Sequence, residues 1–247
     1  MIAGLADTSF LVCALAVMAG ALIQSTGGIG FAMFAAPIVA IVRPDMVPGP
    51  MILVGGMVSL LIAIREFRNI DVRGAAIAVG GRIPGSLVAG LVIGLLPRTA
   101  FGIFFAVLIL AAVALSVSGW RVRATPASLA VAGFSSGVMG TITSVGAPPM
   151  GIVMQNMHPA TLRATLGAFI FLGGGVSLAV LAHAGRFGAH EIRLGLLLIV
   201  PMALGFWIST PLVRHVNAGR MRGLVLGLTA LSAAILLVQS VRQLAVA

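Results

Sequence analysis

Acidic residues, lysine, tyrosine and cysteine are scarce in this sequence or missing from it. The 247 residues contain five aspartates and glutamates, one cysteine, and neither lysine nor tyrosine; charged residues make up 8% of the chain. In contrast, 60% of the residues are hydrophobic, and the mean hydropathy is +1.18. So few charges cannot cover the surface of a soluble protein with this much apolar material. The sequence therefore predicts an integral membrane protein without a soluble domain.

The same scarcities exclude several kinds of chemistry. Cys13 is the single cysteine, so one chain cannot form a disulfide, a thiolate metal site or a cysteine redox pair. No acidic residue lies within an apolar run, which excludes an intramembrane carboxylate relay for protons. The histidines lie at the ends of runs and lack the one-turn spacing of metal ligands. We therefore expect that the protein is not an enzyme and that it binds neither a cofactor nor a metal ion. The acidic residues and histidines are Asp7, Asp45, Glu66, Asp71, Glu191, His158, His183, His190 and His215.

All fifteen basic residues are arginines, and nearly all of them lie between apolar runs. A formal charge of +10 would suggest a nucleic-acid partner for a soluble protein. Here the arginines are interpreted as topology signals, because basic residues are enriched in cytoplasmic loops of membrane proteins. We therefore do not expect nucleic acid to be a partner of this protein. The first 20 residues carry Asp7 and no basic residue before their apolar run, which favours a retained membrane segment over a cleaved signal peptide.

Eight apolar stretches follow one another, and the turns between them contain proline, glycine and arginine. Two of the stretches are too long for one crossing, because as straight helices they would measure roughly 50 Å against a hydrocarbon core of about 30 Å. Each of these two must be broken, strongly tilted or folded back. The eight stretches cover residues 8–42, 47–64, 74–96, 99–119, 127–157, 162–182, 194–213 and 223–241, and the long ones are the first and the fifth.

The two halves of the chain resemble each other. A shift of 118 to 121 residues places Gly28 on Gly146, Ser59 on Ser177 and Gly85 on Gly205. Such weak but ordered similarity is typical of the internal repeats of transporters. We predict an all-α membrane protein of two repeats, residues 1–120 and 121–247.

The orientation of the repeats depends on the two long stretches. If both fold back, each repeat keeps three full crossings, an odd number that makes the repeats inverted. This arrangement also gives the cytoplasmic face a larger share of the arginines, as the positive-inside rule requires. We therefore favour inverted repeats, each opening with a broken or re-entrant helix pair followed by three transmembrane helices. The arginines then predicted to be cytoplasmic are Arg65, Arg68, Arg73, Arg121, Arg123, Arg163, Arg214, Arg220 and Arg222.

The breaks within the long stretches fall at residues 24–30 and 141–149, where glycines, prolines and hydroxyl residues cluster. Backbone groups freed inside a membrane need partners, so a broken helix survives there only beside protein or a water-filled cavity. Two helix N-termini meeting at such a cavity would bind an anion. The alternative is that the glycines only permit close helix packing, while the hydroxyls bond to their own helices.

Arg82 lies within an apolar stretch, and no acidic residue is found within eight positions of it. A charge inside a membrane span is costly and normally faces a cavity or a partner. The alternative is that its long side chain extends to the membrane interface. Gly81 and Gly85 flank Arg82 at a spacing of four, which is typical of helix packing seams.

These segments resemble the TauE/SafE sulfite exporter family, also called the 4-toluene sulfonate uptake permease family. The resemblance covers almost the whole chain and is carried by residues 24–30 followed by Pro37, by NIDVR at 69–73, by GRIPG at 81–85 and by GTITSVGAPP at 140–149. The chain departs from the family in one respect. Many members have an Ala-x-x-Thr-Ser pattern at the start of both the second and the sixth apolar segments. This chain has VPGPMILVGG at 47–56 in place of the first copy, and in place of the second it retains Thr165 without the serine.

The resemblance implies a multi-pass transporter of the bacterial inner membrane that moves sulfite or sulfonates, as an exporter with alternating access to a midplane site. Its implied partners are a small anion, the lipid bilayer and a coupling ion, either proton or sodium; a homodimer through the glycine seams stays open. The alternatives are a passive anion channel, a carrier of a carboxylate without sulfur, and a scaffold subunit without flux. The expected substrate-binding residues are Gln24, Ser25, Thr26, Gly27, Gly28, Gly30, Arg82, Thr143, Ser144, Gly146, Pro148 and Pro149.

Overall fold

The computed structural model describes residues 7–95, 98–120, 122–212 and 218–246, and within these ranges all the regular structure is helical. Short 3-10 turns at Pro44–Met46 and Phe67–Asn69 precede and follow the third helix. The α-helices are α1 (Thr8–Gly27), α2 (Phe31–Val42), α3 (Gly49–Arg65), α4 (Val72–Leu95), α5 (Arg98–Val117), α6 (Pro126–Thr143), α7 (Ala147–Val153), α8 (Pro159–His183), α9 (Ala189–Leu197), α10 (Ile199–Leu212) and α11 (Ala218–Val246).

Five helical segments have the length and hydropathy needed to cross a membrane. Three of them are α1, α4 and α8; the fourth joins α9 to most of α10, and the fifth lies within α11. Apolar segments in α2, α3 and α5 are shorter. The expected all-helical, multi-pass membrane protein is thus confirmed.

The first long apolar stretch folds back on itself. The turn lies between Gly28 and Gly30, whose φ angles of 80° and 136° favour glycine. Beyond the turn α2 runs antiparallel to α1, so that the backbone of Gly20 lies directly against Phe31. At the open end of this first hairpin, Arg43 approaches Asp7 to 3.9 Å.

Arg43 also stabilises the connection from α2 to α3. It hydrogen-bonds Asp45 with an Nη2–Oδ2 distance of 2.8 Å, and this bond lowers the pKa of the Asp45 carboxyl below its usual value.

The fifth apolar stretch forms a second hairpin from α6 and α7. Its turn runs from Ser144 to Gly146, and Ser144 has a φ of 66°, a left-handed conformation that is rare for residues with side chains. The Oγ of Ser136 donates to the carbonyl of Gly146. Pro148 and Pro149 follow in the first turn of α7, where a missing N–H breaks no helical hydrogen bond.

Small residues bring the helices into close contact. Gly81 and Gly85 of α4 lie against the backbone of Ala130 and Phe134 of α6, so the predicted seam is present. On the opposite side of this contact, Gly133 of α6 lies against the backbone of Ala78 of α4. In the same way α10 packs on α1, α3 on α8, and α11 on α5.

One break was not predicted. The stretch expected at 194–213 belongs to two helices, α9 and α10, which are separated at Leu198. Pro201 follows three residues later and cannot donate a hydrogen bond to the carbonyl one turn before it, so the helix is weakened at this point. The two helices together still form one candidate span.

Candidate anion site

A small cavity lies between the turns of the two hairpins. Its volume is about 30 Å³, which is room for about two water molecules. Five of the predicted site residues line it, contributed by the first hairpin, by α4 and by the turn of the second hairpin. They are Gln24, Gly30, Arg82, Ser144 and Gly146.

Among the described residues that line this cavity, Arg82 is the single charged one. Its exposed fraction is 3%, so the alternative of a side chain that reaches the membrane interface is wrong. Nη1 donates to Ser136 Oγ at 3.2 Å and Nη2 to Ser177 Oγ at 3.4 Å, and the guanidinium lies 5.1 Å from the ring centre of Phe169. Among the described residues, Nε has no hydrogen-bond partner and no carboxylate forms an ion pair with this arginine.

Two glycines make space for the Arg82 side chain. Gly173 of α8 lies so close to Cδ and Nε that an added Cβ would clash with both. A Cβ on Gly140 would lie 3.0 Å from Nη2 and 3.2 Å from the Cα of Gly146. The guanidinium is therefore held between α6 and α8 at the turn of the second hairpin.

A group of buried hydroxyls surrounds the arginine, and apart from Thr141, which begins the cluster at 141–149, the sequence did not single them out. Thr141 donates to Ser177 at 2.8 Å, Ser177 in turn donates to the carbonyl of Gly173, and Ser86 lies 3.5 Å from Ser177. Hydroxyls are neutral, so they solvate the guanidinium without neutralising it. For Ser86 and Ser177 the only sequence signal is a small polar residue within an apolar helix, and residues that serve packing alone share this signal.

The N-terminus of α2 also faces the cavity, which Phe31, Ala32 and Met33 help to line. The first N–H groups of a helix have no partners within it and carry a partial positive charge. The side chain of Gln24 satisfies one of them: its Oε1 accepts from the Phe31 N–H at 3.2 Å. Its Nε2 donates to Ser59 Oγ at 2.7 Å. The cavity thus combines an arginine with backbone donors from a helix of 12 residues.

A second pocket of about 290 Å³ adjoins the cavity and shares Gly30 and Met33 with it. Most of its wall is apolar, and none of the described residues that line it is charged. Its other lining residues are Ile23, Thr26, Gly27, Ile29, Leu115, Ser116, Gly119, Trp120, Pro148, Gly151, Ile152, Gln155, Leu162, Val225 and Leu226.

Three further predicted residues, Thr26, Gly27 and Pro148, therefore lie at the second pocket. Thr26 donates to the carbonyls of Leu22 and Ile23 in its own helix. This is the bonding expected if the hydroxyl residues of the break bond to their own helices instead of a substrate.

The other four predicted residues line neither space. Ser25 is buried, and its carbonyl accepts from Arg65 Nη2 at 2.7 Å. Gly28 lies against Arg163. Thr143 donates to Met139 and accepts from the Val145 N–H, and Pro149 is buried in α7.

A cluster of charges holds the turn of the first hairpin. Arg163 Nε lies 2.9 Å from Glu66 Oε1, and Arg65 Nη2 lies 3.6 Å from the same oxygen. Arg65 also lies over the ring of Phe206, 5.1 Å from its centre. These contacts connect the turn of the first hairpin to α3, α8 and α10.

No group of three or more histidine, cysteine, aspartate or glutamate residues that could hold a metal ion is present in the part of the chain that the structure describes. The chemistry of the cavity is instead that of hydrogen-bond donors and one positive charge, which suits an anion.

Comparison with known proteins supplies one match. No curated protein and no solved structure matches the chain. A family model described as "Sulfite exporter TauE/SafE" matches residues 12–236, which is most of the chain. Its members are membrane transporters. This chain therefore belongs to the TauE/SafE sulfite exporter family.

Proposed function

We propose that this protein carries sulfite or a small sulfonate across the bacterial inner membrane as an exporter, and that the oxyanion binds in the cavity beside Arg82. The observation that carries the proposal is that Arg82 is buried and has only neutral hydrogen-bond partners. A buried arginine with neutral partners costs free energy, and no ion pair with a described residue offsets that cost. A bound anion would provide the missing charge.

The donors around the cavity suit the oxygens of a sulfur oxyanion. Such an ion presents three oxygens that share its negative charge and diverge from one atom. Charge-assisted hydrogen bonds to these oxygens are stronger than bonds between neutral groups. Arg82 would supply the full positive charge, and the free N–H groups of α2 would supply backbone donors. Because α7 has only seven residues, we assign it backbone contacts without a helix dipole.

We further propose that the organic part of a sulfonate extends into the second pocket. That pocket adjoins the cavity at Gly30 and Met33, and the described residues that line it are mostly apolar and carry no charge. The amide of Gln155 already donates to the carbonyls of Trp120 and Ile152. An uncharged organic group therefore fits better there than a second ionic group, such as the amine of taurine.

We also propose that the chain consists of two inverted repeats. The packing partners support this, because α4 on α6 is matched by α10 on α1, while α3 packs on α8 and α5 on α11. A local match supports it as well. Ser59 donates to the carbonyl of Gly55 and contacts Gln24 of the first hairpin, and Ser177 donates to the carbonyl of Gly173 and contacts Thr141 of the second.

In this arrangement the two hairpins enter the membrane from opposite faces. The open end of the first lies at Asp7 and Arg43, whereas its turn contacts Arg65 and Arg163. The turn of the second lies near the start of α3, where Ser144 donates to the carbonyl of Pro48. The substrate would bind where the two turns meet.

Alternating access is the mechanism we propose for this site. A cavity with room for only about two waters is narrow for an open anion channel and therefore supports a carrier. The second pocket would be the route of access from the side of Arg65 and Arg163. Proton or sodium remains the proposed coupling ion, and a homodimer remains a proposal that the glycine seams motivate.

Thermal unfolding of the purified protein tests the substrate class. We would compare sulfite, sulfate, taurine, sulfoacetate and acetate, because a ligand that binds only the folded state raises the Tm by mass action. We expect sulfite or a sulfonate to raise the Tm of the parent protein but not that of Arg82→Met. Stabilisation by acetate alone would favour a carboxylate carrier. An equal response of the Arg82→Met variant would contradict the site.

A further inference from the structure

The side chain of Gln24 occupies part of the candidate site. Its amide oxygen accepts a hydrogen bond at 3.2 Å from the N–H of Phe31. This N–H is the first of α2 and has no acceptor within that helix. The same side chain lines the cavity together with Gly30 and Arg82. A neutral carbonyl oxygen thus lies at a position that attracts anions, and the same cavity is lined by a buried arginine whose Nε has no partner among the described residues.

We propose that Gln24 is an internal competitor for the substrate and thereby a residue that determines specificity. This inference rests on the proposed function. In this conformation of the protein, the amide oxygen of Gln24 takes the place of one substrate oxygen at the N-terminus of α2. The substrate binds fully only when it displaces this oxygen from the Phe31 N–H.

The contacts of Gln24 allow such an exchange. Its Nε2 donates to Ser59 Oγ at 2.7 Å, and the Ser59 hydroxyl donates in turn to the carbonyl of Gly55 at 2.6 Å. The bond to Ser59 fixes the amide nitrogen and leaves the bond from Phe31 to the amide oxygen as the one to be replaced. A rotation of the side chain about this anchor would free the α2 donor without leaving the amide nitrogen unpaired.

Competition of this kind selects for charge. A hydrogen bond from a helix N-terminus to an anion is about twice as strong as a bond to a neutral oxygen. An anion therefore gains from replacing Gln24, whereas a neutral molecule of the same shape exchanges one ordinary hydrogen bond for another. The protein would reject neutral isosteres because each of them must displace Gln24 without a compensating gain.

The test compares methanesulfonate with methanesulfonamide, its neutral isostere, on the parent protein, on Gln24→Ala and on Gln24→Glu. In the parent, we expect methanesulfonate alone to bind. In Gln24→Ala, the loss of the competing bond should tighten methanesulfonate binding about fivefold, the effect of one ordinary hydrogen bond. Methanesulfonamide binding should become measurable. In Gln24→Glu, the tethered carboxylate should abolish the response to methanesulfonate and raise the ligand-free Tm by about 3 °C.

Gln239 provides the matched control, because it is exposed on α11 and lines neither the cavity nor the second pocket. Gln239→Ala and Gln239→Glu should leave the discrimination between the two probes as in the parent. Binding is measured below the melting temperature of each variant, so that a general loss of stability is not mistaken for a loss of affinity.

Two results would overturn the inference. One is weaker methanesulfonate binding by folded Gln24→Ala, which would make Gln24 a direct ligand. The other is a ligand-free Tm of Gln24→Glu that does not exceed that of the parent. If the parent responds to no anion, the proposed function fails independently; a raised Tm of Gln24→Glu would then still support an anion-accepting position that residue 24 occupies.

Discussion

The guanidinium of Arg82 donates to the hydroxyl of Ser136 at 3.2 Å, and that hydroxyl donates onward to the carbonyl of Gly146. One side chain thus connects the buried charge on α4 to the turn of the second hairpin. A bound anion that pulls on the guanidinium would also change the contacts of this turn. In the proposed mechanism, this link couples occupation of the site to movement of the hairpin.

Arg82 is expected to be costly for stability. Replacing a buried charge that has no ionic partner with an apolar side chain of similar volume is often stabilising, so Arg82→Met should raise the free energy of unfolding by about 1 kcal/mol or more. At the same time it should abolish stabilisation by sulfite or sulfonates. Thermal unfolding in one detergent, with and without anion, measures both effects.

Arg65→Met is the control for this experiment. Arg65 contacts Glu66, the carbonyl of Ser25 and the ring of Phe206, so its loss should lower the Tm. A lower Tm for Arg82→Met as well would assign Arg82 a structural role and would contradict the functional one.

Gly173→Ala should displace Arg82 without changing its charge. The added methyl group would clash with Cδ and Nε of the arginine, which must then move away from Ser136 and Ser177. We expect anion affinity to fall at least tenfold, and isothermal titration would measure it. Gly175→Ala on the same helix meets no atom within 4 Å and should bind as the parent does. Equal affinity of the two variants would argue against precise placement of Arg82.

Gly27→Leu should reduce the second pocket, because no atom lies within 4 Å of the added Cβ and the residue lines the pocket. Binding of sulfonates with larger organic groups should weaken, while binding of sulfite should stay within about twofold. Competition between sulfite and benzenesulfonate would measure the difference. Gly227→Leu, at an exposed position of α11, is the control. Equal losses for both anions would show that the pocket does not hold the organic group.

Glu66→Gln should loosen the turn of the first hairpin. Its carboxylate pairs with Arg163 and Arg65, and the exposed fractions of the Glu66 and Arg163 side chains are only 12% and 16%. Its removal leaves two poorly hydrated positive charges together, so we expect a loss of about 2 kcal/mol in the free energy of unfolding. Glu191→Gln, which leaves an acceptor for the Gly188 N–H, should change stability by less than about 0.5 kcal/mol. Equal effects of the two changes would contradict the role of the cluster.

The Arg43–Asp45 pair predicts a small dependence of stability on pH. Because the hydrogen bond from Arg43 lowers the pKa of Asp45, the ionised carboxylate stabilises the fold at neutral pH, and this contribution is lost as the pH falls through the lowered pKa. The pair is partly exposed, so Asp45→Asn should cost less than about 1 kcal/mol at pH 7. The Tm difference from the parent should shrink on acidification to pH 3.5; a constant difference would contradict this explanation.

The sequence was most informative where it departed from an apolar helix. The clusters at 24–30 and 141–149 predicted two interruptions, and the turns lie within them at Gly28 to Gly30 and at Ser144 to Gly146. Glycine, proline and hydroxyl residues stand out against an apolar background, which is why these two places could be found from composition alone.

Other features depend on contacts between distant segments. Sequence spacing could not decide whether Arg82 reaches the interface or stays buried, because the answer depends on Gly173 and Gly140 in other helices. The hydroxyls of Ser136 and Ser177 gave no signal, since serine in an apolar helix commonly bonds to its own backbone. The break at Leu198 spans a single residue and leaves hydropathy unchanged.

Flux in proteoliposomes would decide whether the protein is an anion carrier whose site includes Arg82. We would measure uptake of labelled sulfite under anaerobic conditions, with and without unlabelled sulfite or methanesulfonate on the opposite side, for the parent protein and for folded Arg82→Met. A carrier site at Arg82 predicts saturable uptake that the opposite anion accelerates and that Arg82→Met abolishes. Equal uptake by Arg82→Met, or flux that rises linearly with concentration without exchange, would contradict a carrier site at Arg82.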